Sequence, residues 1–217
     1  MASAATSSVP VATTATVTPA DVLGRGGRTL VLMCDVQPAI MAGTFRDSDP
    51  APVLARMAKF LELARAAGVH VGHVAVRFED GHPEVAATSK LFSGVKAAGK
   101  LLKSDPATAI DSRIGALATE PVFEKQRVSA HMATSRDLPK FIAENGVDTI
   151  VLGGFSTSGV ILSTVCWAGD HDIRAVVLED LCADADAEMH RVLVTKVFMK
   201  QAFVMSSEDV VAAARSA

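Results

Sequence analysis

The chain predicts an open, doubly wound α/β fold, and three observations carry that expectation. Six short apolar runs of strand length recur along the 217 residues: "RTLVLMCDV", "VHVGHVAVRF", "PVFEK", "DTIVLGG", "RAVVLEDLCAD" and "AFVMS". Most are separated by helical patterns, so consecutive strands need crossover connections and pair in parallel. The first run is apolar throughout rather than alternating, the mark of a strand covered on both faces. A mostly parallel, six-stranded sheet follows.

The elements can be justified in order. Residues 1–24, beginning "MASAATSSVPVATTATVTPADV", have too few bulky side chains to offset the entropy of ordering, and read as a flexible tail before one domain at 25–217. The tail lacks the basic start and fused apolar stretch of a signal peptide, and an organelle-targeting role stays open. In "VLARMAKFLELARAAG" the residues Val53, Met57, Phe60, Leu61 and Ala64 form one helical stripe that closes at Gly68. From 79 to 120 the periodicity weakens, which predicts a long excursion with short helices of the kind that shapes a pocket. "SRDLPKFIAENG", a helix over about 157 to 170, "DAEMHRVLVTKVF" and "SEDVVAAARS" supply the later helices.

Composition narrows the function classes. With 49% hydrophobic residues and a formal charge of −3, the chain is an ordinary globular protein with no footprint for nucleic acid. No apolar run reaches the roughly 18 residues of a membrane span. Cys34, Cys166 and Cys182 are too scattered for a disulfide framework or a CxxC metal site, so a reducing, cytoplasmic setting is expected.

In open parallel sheets ligands bind at the carboxyl ends of the strands. That rule selects Asp35, Phe78 with Glu79, Lys125, the turn 153–160 and Asp180 to Asp184 as the rim. Asp35 is either a loop cap or a carboxyl whose burial raises its pKa toward acid–base use. Lys125 is either solvated or, facing Asp35, half of a charge pair that moves a proton. In "GGFSTSGV", Gly153 and Gly154 permit a tight turn, and Ser156, Thr157 and Ser158 can cap the following helix; its N–H groups could also hold a developing negative charge. His82 alone is too little for zinc. His73 reads as a core or interstrand histidine, His171 and His190 as helix-surface positions.

Taken together, "LVLMCDVQPAI", "VFEKQRVSAHMATSRDL" and "VLGGFSTSGVILSTVCWAGDHDI" resemble the three signatures of the isochorismatase-like hydrolases, in order and across about residues 28–206. The resemblance implies a three-layer α/β/α, Rossmann-like sheet, a catalytic Asp35 and Lys125, no cofactor or metal, a small-molecule substrate, and a homo-oligomer, dimer or tetramer. Cysteine hydrolases of this superfamily carry a nucleophilic Cys at the helix start, with Thr four and Ala eight residues on. Thr164 and Ala168 fit that register and put Val160 at the nucleophile position; a slip by one would put Gly159 there. Cys166 lies nearly two turns further, and it, Cys34 and Cys182 are assigned to core packing.

A missing thiolate disfavours amide hydrolysis through a thioester. Isochorismatases proper, which carry a small residue there, hydrolyse a vinyl ether by protonating carbon. The expectation is therefore Asp35 as general acid, Lys125 as its electrostatic partner, and isochorismate or a similar small molecule as substrate. The alternatives are a hydrolase of another small molecule and a catalytically silent binding relative. Substrate contacts are expected from Gln37, Phe45, Phe78, His131, Phe155, Ser156, Thr157 and Ser158, with Arg77 or Lys90 for carboxylates.

Overall fold

The computed structural model describes residues 16–216, so the first fifteen residues of the expected tail lie outside the described residues. The rest of that tail is part of the domain, which corrects the boundary at 24. Helix α1 (Pro19–Gly24) is opened by Thr18, whose backbone N–H and hydroxyl both donate to the Asp21 carboxylate at 2.8 and 2.7 Å. Val22 and Leu23 are buried. Two bulky apolar residues on one short turn are enough to dock it.

Strand β1 (Thr29–Cys34) is buried at every position, as its continuous apolar run demands. Helix α2 (Pro38–Thr44) and helix α3 (Ala51–Ala66) follow, and all five residues of the expected α3 stripe are buried. Burying Phe60 alone is worth about 2–3 kcal/mol. Strand β2 (His70–Val76) leads into the excursion, whose ordered pieces are helix α4 (Lys90–Ala97) and two single turns. Strand β3 (Val122–Lys125), helix α5 (Leu138–Glu144) and strand β4 (Thr149–Phe155) come next. A wide π-type turn at Thr157–Ile161 opens helix α6 (Leu162–Asp170). Strand β5 (Arg174–Ala183), helix α7 (Ala187–Val192) continued by looser turns to Lys200, strand β6 (Phe203–Met205) and helix α8 (Ser207–Ser216) complete the chain.

The six strands form one sheet in the order β3-β2-β1-β4-β5-β6, and all five pairings are parallel. Val31 and Met33 of β1 pack with α1, α3 and α8, while Leu30, Leu32 and Cys34 pack with α5, α6 and the turns that continue α7. Strand alternation thus feeds two cores, and the fold is a three-layer α/β/α sandwich. The strand order reverses between β1 and β4, which puts a crevice at the carboxyl ends of those two strands. No described helix is long and apolar enough to cross a membrane.

At the opposite end of the sheet, Arg25 and Arg28 meet Asp148 just before β4. Burial pushes the Asp148 carboxyl up, but hydrogen bonds from Arg28, Thr149 and Arg25 outweigh it and bring the pKa down to about 2. A depressed carboxyl contributes stability above its unfolded pKa and loses it as pH falls through the folded one. The advantage of wild type over Asp148→Asn in denaturant midpoint is therefore expected to be full at pH 5 and to shrink between about pH 4 and 2.

Candidate active site

Asp35 follows β1 with φ at 54°, the left-handed conformation that short polar residues tolerate best. Its backbone is held on both sides: its N–H donates to Val74 O at 2.9 Å, and its carbonyl accepts from Gln37 N–H at 2.8 Å. Lys125 ends β3, two strands away, and its ammonium reaches Asp35 Oδ2 at 2.7 Å and Arg127 O at 3.2 Å. Both side chains are almost fully buried, at 5% and 2% exposure. Asp35 Oδ1 is buried with no hydrogen-bond partner. Burial raises the Asp35 pKa and Lys125 opposes it; burial wins.

These groups lie in a cavity of about 370 Å³, whose polar elements are few. Val76, Phe155, Ser156, Gly159 and Val160 line it from the strand ends and the elbow; Ile40 from α2, and Leu91, Phe92 and Val95 from α4, form the opposite wall. The excursion does shape a pocket. Arg46 and Asp184 reach the lining as well. The elbow depends on Gly154, at φ 132°, where an added Cβ would stand 2.0 Å from Cys34 O. The bond between Phe155 and Ser156 is cis.

Several expected contacts fall outside the lining, each for a local reason. Gln37 is spent on the backbone: its Nε2 donates to Val76 O at 3.2 Å and Thr108 O at 2.5 Å, and its Oε1 accepts from Val76 N–H. It extends the sheet past the end of β1. Phe45 packs edge-on behind Phe155 at 4.9 Å, and Phe78, fully buried, backs Phe92 at 5.2 Å. His131 stacks on Trp167 at 5.0 Å, away from the cavity. Thr157 is buried against His190, its Oγ1 2.8 Å from Nδ1, and Ser158 contributes its backbone N–H to Asp184 Oδ2 at 2.8 Å.

The charged expectations also change. Arg77 is held by Glu124 and Thr108 O, Lys90 is exposed at the start of α4, Glu79 pairs with Lys103, and Asp180 holds the start of α8 through Ser207. Cys34 and Cys182 pack as expected, with burial pushing the first thiol well up and the second to about 12. Cys166 does not: it is exposed on the outer face of α6, between Val165 and Trp167, which are buried. His73 is buried beside Glu120 at 2.9 Å, as its strand position implies. His190 is half-buried rather than on the surface; burial lowers its pKa, against Asp184 and Glu179. His82 is buried with Nε2 2.7 Å from Lys100 O, and among the described residues no three His, Cys, Asp or Glu converge to hold a metal ion.

Residues 29–209 match the isochorismatase domain family. The chain belongs to the isochorismatase-like hydrolases. Maleamate amidohydrolase of Pseudomonas putida is 30% identical over 152 residues, 70% of each chain. Among solved structures, an isochorismatase family protein from Burkholderia thailandensis superposes with a TM-score of 0.76 at 21% identity, covering 88% of this chain and 97% of that one. N-carbamoylsarcosine amidase from Thermoplasma acidophilum gives 0.66 at 23% identity, covering 83% and 96%. At such identities the structural likeness speaks for the fold. Within this isochorismatase-like fold, sequence reasoning named no lining role for Arg46, for Ile40 inside the first signature, or for Leu91, Phe92 and Val95 of the expected excursion; Asp184 had been selected by strand-end position, with no role attached.

Proposed function

We propose that the cavity is the active site of a cofactor-free hydrolase of isochorismatase type, which cleaves the enolpyruvyl vinyl ether of isochorismate or a similar small molecule. Asp35, protonated, gives its proton to the methylene carbon; the C=C electron pair forms the new C–H bond, leaving an oxocarbenium carbon. Water adds there, and the resulting hemiketal breaks its C–O bond to release pyruvate and an alcohol. Lys125 meets the charge left on Asp35, which allows a buried carboxylate to form.

The observation that carries this reading is the buried contact of Asp35 with Lys125, two residues of the cavity lining, together with a second Asp35 carboxyl oxygen that is buried without a hydrogen-bond partner. A raised pKa in a dry setting is what a carbon-protonating acid needs. Amide hydrolysis, the activity named for the Pseudomonas and Thermoplasma proteins, would in its thioester form need a thiolate. Val160 takes the nucleophile's place in this reading, and none of the three cysteines lines the cavity.

Pyruvate release from isochorismate, followed by a coupled assay, tests the proposal; none from wild type would reject isochorismate as substrate. A thiol-independent mechanism also has its own signature. Iodoacetamide is expected to alkylate the exposed Cys166 while activity stays within about twofold of the untreated enzyme, whereas loss in step with labelling would point to thiol chemistry.

A further inference from the structure

We propose that Asp184 is a second catalytic carboxylate of this cavity, facing the carbon that becomes cationic and taking a proton from the attacking water. The inference rests on the vinyl-ether reading above and adds the half of the reaction that Asp35 leaves unassigned. Asp184 lies just beyond β5, on the cavity lining with Ser156 and Gly159. Its Oδ2 accepts from Ser158 N–H at 2.8 Å and its Oδ1 from Asp186 N–H at 3.4 Å. Among the described residues no cationic side chain forms an ion pair with it. Asp35 is the opposite case, since its charge would be met by Lys125 at 2.7 Å.

The placement has an electrostatic consequence. The first N–H groups of a helix-opening turn are where a developing oxyanion would be held. Here the Ser158 N–H already serves a carboxylate. A fixed negative charge at that point opposes an anionic tetrahedral intermediate and favours a cationic one.

The proton account closes. Asp35 loses its proton to the methylene carbon. As the water oxygen bonds to the oxocarbenium carbon, one of its protons passes to Asp184. Asp184 releases that proton to solvent, Asp35 takes one up, and the hemiketal hydroxyl proton leaves as the departing oxygen gains one. One water is consumed per turnover.

The test pairs a kinetic and a binding readout. Asp184→Asn keeps an oxygen for Ser158 N–H and removes the charge; with isochorismate it is expected to lose about 100-fold in kcat with KM within about threefold. Asp184→Glu should recover part of the loss. Independently of turnover, calorimetry on wild type should show piperidine-3-carboxylate, a ring ammonium, binding at least about tenfold tighter than cyclohexanecarboxylate, with that preference gone in Asp184→Asn and thermal midpoints equal. No preference in wild type, or one unchanged in the variant, overturns the proposal. Equal pyruvate release from wild type and Asp184→Asn overturns it while leaving Asp35 as the acid. An Asp184-dependent preference without any pyruvate release would retain the cation-facing carboxylate and reject the isochorismate reading alone.

Discussion

Asp35→Asn is expected to lose pyruvate release by about 100- to 10,000-fold, the span seen when a positioned general acid is removed. The amide keeps the shape of the carboxyl but has no proton acidic enough to give to carbon. In wild type the acid works only when protonated, so kcat/KM should fall as pH rises through the raised Asp35 pKa, and the variant should lose that limb. A separate structural effect needs control. At pH above the Asp35 pKa, where the pair is ionised, removing the carboxylate leaves the Lys125 ammonium, 2% exposed, without its counter-charge, a change that costs about 3–5 kcal/mol in comparable buried pairs. The double variant Asp35→Asn, Lys125→Met is therefore expected to recover denaturant stability and to stay inactive. Recovery of both would locate the proton donor elsewhere.

Gly154→Ala should be the most disruptive small substitution in the fold. The added methyl would stand 2.0 Å from Cys34 O and 2.7 Å from Cys34 C and N, all backbone atoms of the neighbouring strand. The position also has φ at 132°, a conformation closed to residues with a Cβ. Since β1 and β4 pair from Thr29↔Thr149 to Cys34↔Gly154, the strands must separate where Asp35 and the elbow meet. A loss above about 4 kcal/mol in denaturant unfolding, with activity lost too, is the expected result. Retention of wild-type stability would mean that the elbow is far more plastic than its packing indicates.

Much of this was legible in the chain because short-range chemistry dictated it. The continuous apolar runs became the six strands, and the stripe of Val53, Met57, Phe60, Leu61 and Ala64 became the buried face of α3. Asp35 and Lys125 were selectable because each ends a strand, and parallel strands of one sheet bring their carboxyl ends to one side. The tail boundary was misplaced because Val22 and Leu23 are too few to register as a pattern, yet they suffice once α8 offers a surface.

Side-chain direction was not legible in the same way. Phe45 and Phe78 read as pocket walls, but each stands one residue behind a wall, since a strand end or loop can turn either face inward. Thr157 and Ser158 read as substrate contacts, whereas His190 and Asp184, 33 and 26 residues away, claim them. Cys166 read as core because free cysteines usually are, and the phase of α6 turned it outward.

By itself the sequence determined the six strands, the helices between them and the two ionisable residues at the strand ends, because apolar periodicity and turn chemistry act over a few residues. Only the tertiary structure decided that burial outweighs Lys125 in setting the Asp35 pKa, that α4 lines the cavity, and that Asp184, without an ion pair, lines the same space. Those outcomes depend on distances and desolvation between groups 26 to 90 positions apart, which packing sets and local pattern does not.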